Sequence, residues 1–327
     1  MHVAQVEKWG EPPKYTTVAT PDPPDPASDD VQIKVTATAI HNLVRLRASG
    51  THYSAKTLPH VPGVDGVGTT TAEGGEEAYF FDYHGSSGTF ADLVTVPKAN
   101  VFPLPAGADP IQVAALVNPA MSSWLALRKR AFHLPPGFSV LILGATSTSG
   151  RLAIPIARAL GAGKIVGCAR SRDALDSLRG VPAGGGGGGG LDSTLVLRDP
   201  VTATDFASLG HVDVVLDYVY GPPAEHLLHS VKALDRPTQY INIGGLAGAT
   251  ITLHSRVVRS SKIVMLGSGI GSWTDDEIRD ELPGLLRAIV SSLPVPTIEV
   301  RSLRDVETVW GQNEKGKGGL ERIVLVP

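Results

Sequence analysis

Between Val140 and Leu266, short apolar runs alternate with helix-patterned stretches, and this alternation constrains the fold more than any other feature of the chain. Hydrophobic periodicity predicts strands at 140–143, 165–168, 195–197, 212–217, 240–243 and 263–266, with helices at 150–160, 173–178 and 224–234. Such an order gives an α/β architecture, a doubly wound parallel sheet with crossover helices. An apolar helical stretch from Ile111 to Phe132 leads into it. Upstream, "VQIKVTAT" (31–38) alternates strictly, as a half-buried strand does, and breakers such as "PDPPDPASDD" and "LPHVPGVDGVG" punctuate a β-rich N-terminal third. After Gly271 come a helix, "DDEIRDELPGLLRAIVSSL", and a last strand, "ERIVLVP", expected to return to a sheet built earlier. The run Gly184–Gly190 reads as a surface loop, because polyglycine cannot pack and loses the most backbone entropy on ordering.

The first turn of the sheet, "LILGATSTSG" (141–150), carries the first chemical signal. A phosphate-binding turn needs a tight bend, exposed backbone N–H groups and a close contact between helix and strand. Gly144 and Gly150 supply the first and the last, while Thr146, Ser147, Thr148 and Ser149 occupy the centre. Their hydroxyls can donate to phosphate oxygens beside the helix N-terminus, although a plain strand–turn–helix would read the same way. The end of the second strand adds Arg170, Ser171 and Arg172. A site for NAD places an acidic residue there, against the ribose hydroxyls. Two arginines and a serine suit a 2′-phosphate instead, with solvated surface charge as the alternative.

A formal net charge of −3 on 327 residues offers no basic field for nucleic acid or an anionic membrane surface. No apolar run approaches the roughly 20 residues of a spanning helix, and no signal-peptide core opens the chain. A small-molecule substrate and a cytoplasmic location are expected. Cys168 is the single cysteine, so there is neither an internal disulfide nor a cysteine-rich zinc site, and its place on a strand reads as a small buried hydrophobe.

The segments "VPGVDGVG" (61–68), "GTFADLVTV" (88–96), "VFPLP" (101–105), "VLILGATSTSGRLAIPIARALGA" (140–162), "VDVVLDYV" (212–219), "YINIGG" (240–245) and "GGLERIVLVP" (318–327) resemble, in order and spacing, the medium-chain dehydrogenase/reductase superfamily in its zinc-free quinone-oxidoreductase-like branch. The resemblance implies a GroES-like β-barrel domain from both chain ends (1–115 and 272–327) with an inserted Rossmann NADP-binding domain (116–271). It implies a homodimer through the edge strand near Ile263–Leu266, and it adds Gly244 and Gly245 to the cofactor-binding set. Zinc-dependent members carry an early Cys and a Gly-His-Glu motif; here Val64 and Asp65 stand where the His and Glu would be, so no metal is expected. The metal-free branch commonly has an Asn near the nicotinamide. Counting back from Gly50 puts His41 there, and a one-residue slip puts Asn42 there. The segment between Val67 and Gly88 is shorter than is usual in the family.

His41, Asn42, His52 and Tyr53 lie on the region that resembles the active-site floor, where a neutral donor can polarise an acceptor oxygen as hydride arrives; each can equally satisfy nearby backbone. Asn118, Met121 and Ser122 are candidates for touching nicotinamide or substrate, with helix packing as the alternative, and Trp124 reads as core. His84 and Asp82 lack a third ligand nearby in sequence. The expected activity is a metal-free, NADPH-dependent hydride transfer to an activated double bond of enone or quinone type. The alternatives are carbonyl or imine reduction on the same fold, a non-catalytic NADPH-binding protein, and a non-redox step on a bound metabolite.

Overall fold

The computed structural model describes residues 1–55, 57–72, 74–85, 87–180, 189–230, 236–311 and 321–327. An antiparallel pair, β1 (His2–Gln5) and β2 (Lys14–Thr17), opens the chain. Five strands follow, β3 (Asp30–Ile40), β4 (Asp65–Thr70), β5 (Glu77–Phe81), β6 (Leu93–Pro97) and β7 (Val101–Pro103), with α1 (Asn42–Ala48) after the first. β3 outruns the alternation that predicted it and changes partners along its length. Its first residues pair with β6, the stretch Ile33–Ala37 also pairs with β4, and a bulge falls between Val35 and Ala37.

Helix α2 (Pro110–Leu125) contains Pro119 and ends in a π-helical turn, Ala126–Arg130, so the predicted apolar helix stops short of Phe132. Then come β8 (Ser139–Leu143), α3 (Thr148–Ala159), β9 (Lys164–Ala169), α4 (Arg172–Asp176), β10 (Ser193–Val196), β11 (Val214–Asp217), α5 (Gly221–Ser230), β12 (Thr238–Asn242), α6 (Ser255–Ser260) and β13 (Ile263–Gly267). The six strands form one parallel sheet in the order β10-β9-β8-β11-β12-β13. This is the doubly wound Rossmann order, and it reverses between β8 and β11, the switch point beside which such sheets bind ligands at the strands' carboxyl ends. The continuous run Leu141–Leu143 is fully buried, as a strand covered on both faces requires. Gly184–Gly188 of the polyglycine run and the last residues of the predicted helix 224–234 lie outside the described residues.

Helix α7 (Asp275–Ser291), β14 (Thr297–Ser302), α8 (Val306–Trp310) and β15 (Glu321–Val326) close the chain. β15 pairs with Thr38–Ile40 of β3 and with β14, so the last strand does return to the sheet built first. That sheet runs β14-β15-β3-β4-β5-β7, with β6 on β3. The chain divides into two compact units, one of Met1–Asn118, Leu282–Val290 and Val295–Pro327, the other of Pro119–Glu281 and Ser291–Pro294.

Candidate active site

In the parallel-sheet unit, Gly144 takes φ +94°, a left-handed conformation that favours glycine, as the chain leaves β8. The N–H groups of Gly144 and Ala145 both donate to the Cys168 carbonyl, which pins the turn to β9. Ser147 caps α3: its Oγ accepts from the Gly150 N–H at 3.1 Å and donates to the Gly144 carbonyl at 2.8 Å. The Ser147 proton is therefore committed to backbone, which leaves Thr146, Thr148 and Ser149, all half-buried, as the turn's other hydroxyls. A Cβ on Gly150 would lie 2.3 Å from the Gly144 oxygen, so helix and turn approach to a distance only glycine permits. That close packing of helix on turn is what the third glycine of a dinucleotide-binding turn provides.

Arg170, Ser171 and Arg172 are exposed where β9 passes into α4. Ser171 Oγ accepts from the Ala174 N–H, an ordinary cap. Neither arginine forms an ion pair or hydrogen bond among the described residues. At the end of β11, the buried Asp217 accepts from the Val219 and Tyr220 N–H groups at 2.7 and 3.0 Å and from the Tyr240 hydroxyl. Burial raises its carboxyl above the usual range against these bonds. The Asp217 carbonyl in turn accepts from Ile243 and Gly244, lacing the Gly244–Gly245 loop onto the same sheet end. A Cβ on Gly244 would meet the Tyr218 oxygen at 2.7 Å. Cys168 is fully buried, and burial followed by the nearby Asp217 pushes its thiol up to about 12, which makes it a packing residue.

In the other unit, the four residues singled out on the loop do not form one cluster. His41 is 3% exposed, and its Nε2 donates to Asp65 Oδ1 at 3.0 Å while its Nδ1 is buried without a partner. The second Asp65 oxygen accepts from the Tyr79 hydroxyl at 2.9 Å, and its carbonyl accepts from Thr38 and Thr89. Asn42, by contrast, is exposed at the first position of α1. His52 Nδ1 accepts from the Ser54 N–H at 3.1 Å and lies 2.7 Å from Ser54 Oγ, which itself accepts from Arg47 Nε at 2.8 Å. Those bonds place the His52 proton on Nε2. Burial and then the Arg47 charge lower its pKa, so the ring is neutral near pH 7. Tyr53 is 72% exposed, its ring centroid 4.1 Å from that of His52. Asn118 donates to the Tyr83 hydroxyl at 3.3 Å and belongs to the same unit. Ser122 and Trp124 are packed in the other unit, Ser122 donating to Pro119 and Trp124 to Glu281; Met121 is buried. The sequence reading missed Asp65 as a partner of His41, Asp217 at the sheet end, and Arg47. The signal for Arg47 was an arginine at helical spacing from Val44 on the buried face of α1.

No family profile matches the chain. It is 35% identical, over the full length of both proteins, to a probable NADPH-dependent quinone reductase of Emericella nidulans. It is 26% identical to a mouse quinone oxidoreductase, covering 88% of this chain and 86% of that one. Among solved structures it superposes on quinone oxidoreductases of Pseudomonas syringae, with TM-score 0.78, 20% identity and coverage of 100% and 99%, and of Thermus thermophilus, with TM-score 0.75, 22% identity and coverage of 100% of both chains. The Thermus protein has also been solved in complex with NADPH. With the doubly wound sheet, its glycine turn and the returning C-terminal strand in place, the chain belongs to the quinone-oxidoreductase-like branch of the medium-chain dehydrogenase/reductase superfamily.

Proposed function

We propose that the protein is an NADPH-dependent reductase that adds hydride to an activated double bond of quinone or enone type, without a metal. The observation that carries the cofactor reading is the close packing of Gly150 on the Gly144 carbonyl, with two exposed arginines that pair with no described residue at the end of the neighbouring strand. Full-length similarity to a protein named a probable NADPH-dependent quinone reductase supports the substrate class.

Gly144, Thr146, Thr148, Ser149 and Gly150 would cradle the pyrophosphate, Arg170, Ser171 and Arg172 the 2′-phosphate, and Gly244 and Gly245 would border the nucleotide at the sheet end. The bound dihydronicotinamide supplies the hydride; the protein's task is to orient and polarise the acceptor. His52, neutral and carrying its proton on Nε2, would donate to a developing oxyanion, with the exposed Tyr53 beside it and Asn42, at the start of α1, as a separate candidate. His41 is enclosed and acts by fixing the start of α1 through Asp65. Zinc independence is supported by the donor set. Both carboxylate oxygens of Asp65 are engaged by His41 and Tyr79, and Val64 precedes it. Stoichiometric zinc whose removal abolishes turnover would overturn that part.

Charge-assisted phosphate contacts contribute about 1.5–3 kcal/mol each, so losing one arginine is expected to weaken NADPH by about tenfold or more, and Arg170→Ala with Arg172→Ala by about a hundredfold or more, leaving NADH nearly unchanged. Titration of wild type and variant with both cofactors tests this, and equal affinities in the wild type would sink it. Product analysis with an enone tests the reaction: a saturated ketone supports double-bond reduction, an allylic alcohol the carbonyl reading, and no NADPH turnover a non-catalytic binding role.

A further inference from the structure

The catalytic-loop unit contains a charged group that the reading above does not use. Arg47 lies on the buried face of α1 with Val44 and Ala48 and is only 6% exposed. Its Nε donates to Ser54 Oγ and its Nη2 to the Tyr83 carbonyl, which fixes the guanidinium in place. The third nitrogen, Nη1, has no partner among the described residues, and Arg47 forms no ion pair among them. Burying a guanidinium without a directly paired carboxylate is costly, and burial lowers the Arg47 pKa although Asp82 nearby acts the other way.

Arg47 forms part of the wall of a recess of about 50 Å³, together with Ser54, His60, Gly63, Asp82 and Gly88. One water needs roughly 10–15 Å³, so the space has room for the two oxygens of a carboxylate. Among the described residues, the other ionisable groups of its wall are Asp82 and His60. Asp82 Oδ1 accepts from the Gly85 N–H at 2.6 Å, and this carboxylate offsets part of the Arg47 charge without pairing to it within 4 Å. His60 is held neutral near pH 7 by burial and by Arg47, and its Nε2 is buried without a partner.

We propose that this recess anchors a carboxylate of the substrate on Arg47, so that the preferred acceptors are quinones or enones bearing an acidic group. A guanidinium held by two other bonds is pre-organised to meet a planar two-oxygen anion, and the ring to be reduced stays outside the recess. The inference rests on the reading that the loop carrying His52 and Ser54 faces the acceptor.

The test compares 2-carboxy-1,4-naphthoquinone with 1,4-naphthoquinone as acceptors for the full-length protein with NADPH. Wild type is expected to favour the carboxylated quinone in kcat/KM by about ten- to a hundredfold, a preference that falls with added salt. Arg47→Met should bring the ratio close to one. Since Arg47 also supports Ser54 and Tyr83, Thr57→Glu at the exposed rim of the recess provides a second variant, expected to lower the same ratio with Arg47 intact. A wild-type ratio near one, or a ratio unchanged in both variants, overturns the proposal and leaves Arg47 as a brace for the loop. Calorimetric titration with 1-naphthoate, which accepts no hydride, separates the two readings. If neither quinone is reduced, the proposed function fails, whereas naphthoate binding that Arg47→Met abolishes still upholds the anion site, and its absence from wild type overturns it.

Discussion

His60 shows how one residue reports its surroundings. It pairs with Val6 through the backbone, sets its ring 5.8 Å from that of Trp9, and has a pKa pushed down to about 4, first by burial and then by Arg47. In the unfolded chain the same ring titrates near 6.5. Between these values the unfolded state binds a proton that the native state refuses. The contribution to stability is therefore complete above about 6.5 and is lost progressively as pH falls toward 4. His52 shifts in the same direction and adds to the slope. Denaturant midpoints measured from pH 7.5 to 5 should fall in wild type and fall less steeply in His60→Asn; parallel curves would mean that His60 titrates normally in the native protein. None of this was legible in the sequence, where His60 is one more loop histidine between two prolines.

Among the elements, legibility followed the range of the interaction. Strands of the parallel sheet were readable because each is a local apolar run, and the Gly144–Gly150 turn because its glycines lie within one turn of chain. The junction of β3, α1, β4 and β5 was not, because it is made by residues far apart in sequence. His41 comes from the start of α1, Asp65 from β4, Tyr79 from β5, and Thr38 and Thr89 meet the Asp65 carbonyl. Sequence reading singled out His41 for the chemistry its side chain could do, and Asp65 for the glutamate it replaces. Their pairing across 24 residues needed the fold. Removing the Asp65 carboxylate leaves the His41 donor buried and unpaired, at about 1–3 kcal/mol, and takes one of two partners from the Tyr79 hydroxyl, which keeps Tyr83. Asp65→Ala should thus lower stability by about 1–3 kcal/mol or somewhat more in chemical denaturation, whereas a change below about 0.5 kcal/mol would show that the junction is held by packing alone.

At the scale of the whole molecule, the open question is the edge of the parallel sheet. β13 pairs on one side with β12, and no described strand covers its other side. Ile263, Val264 and Leu266 are half-buried, Met265 is 42% exposed, and Val258 on the preceding α6 is 63% exposed. An apolar, uncovered edge is a liability in a lone chain, and proteins blunt such edges with charge or cover them. Lys262 and Arg259 flank this one, but no charge lies within it. A second copy docking edge to edge would join two six-stranded sheets into one and satisfy the free backbone groups, which is the homodimer that the resemblance implies. Light scattering should then give twice the 34.2 kDa chain mass. Met265→Lys, placing a charge in the middle of the edge, should shift the population to monomer while leaving NADPH affinity within about twofold, since the nucleotide turn lies on β8 and β9. A monomeric wild type, or a variant dimer as tight as the parent, would require another cover for β13.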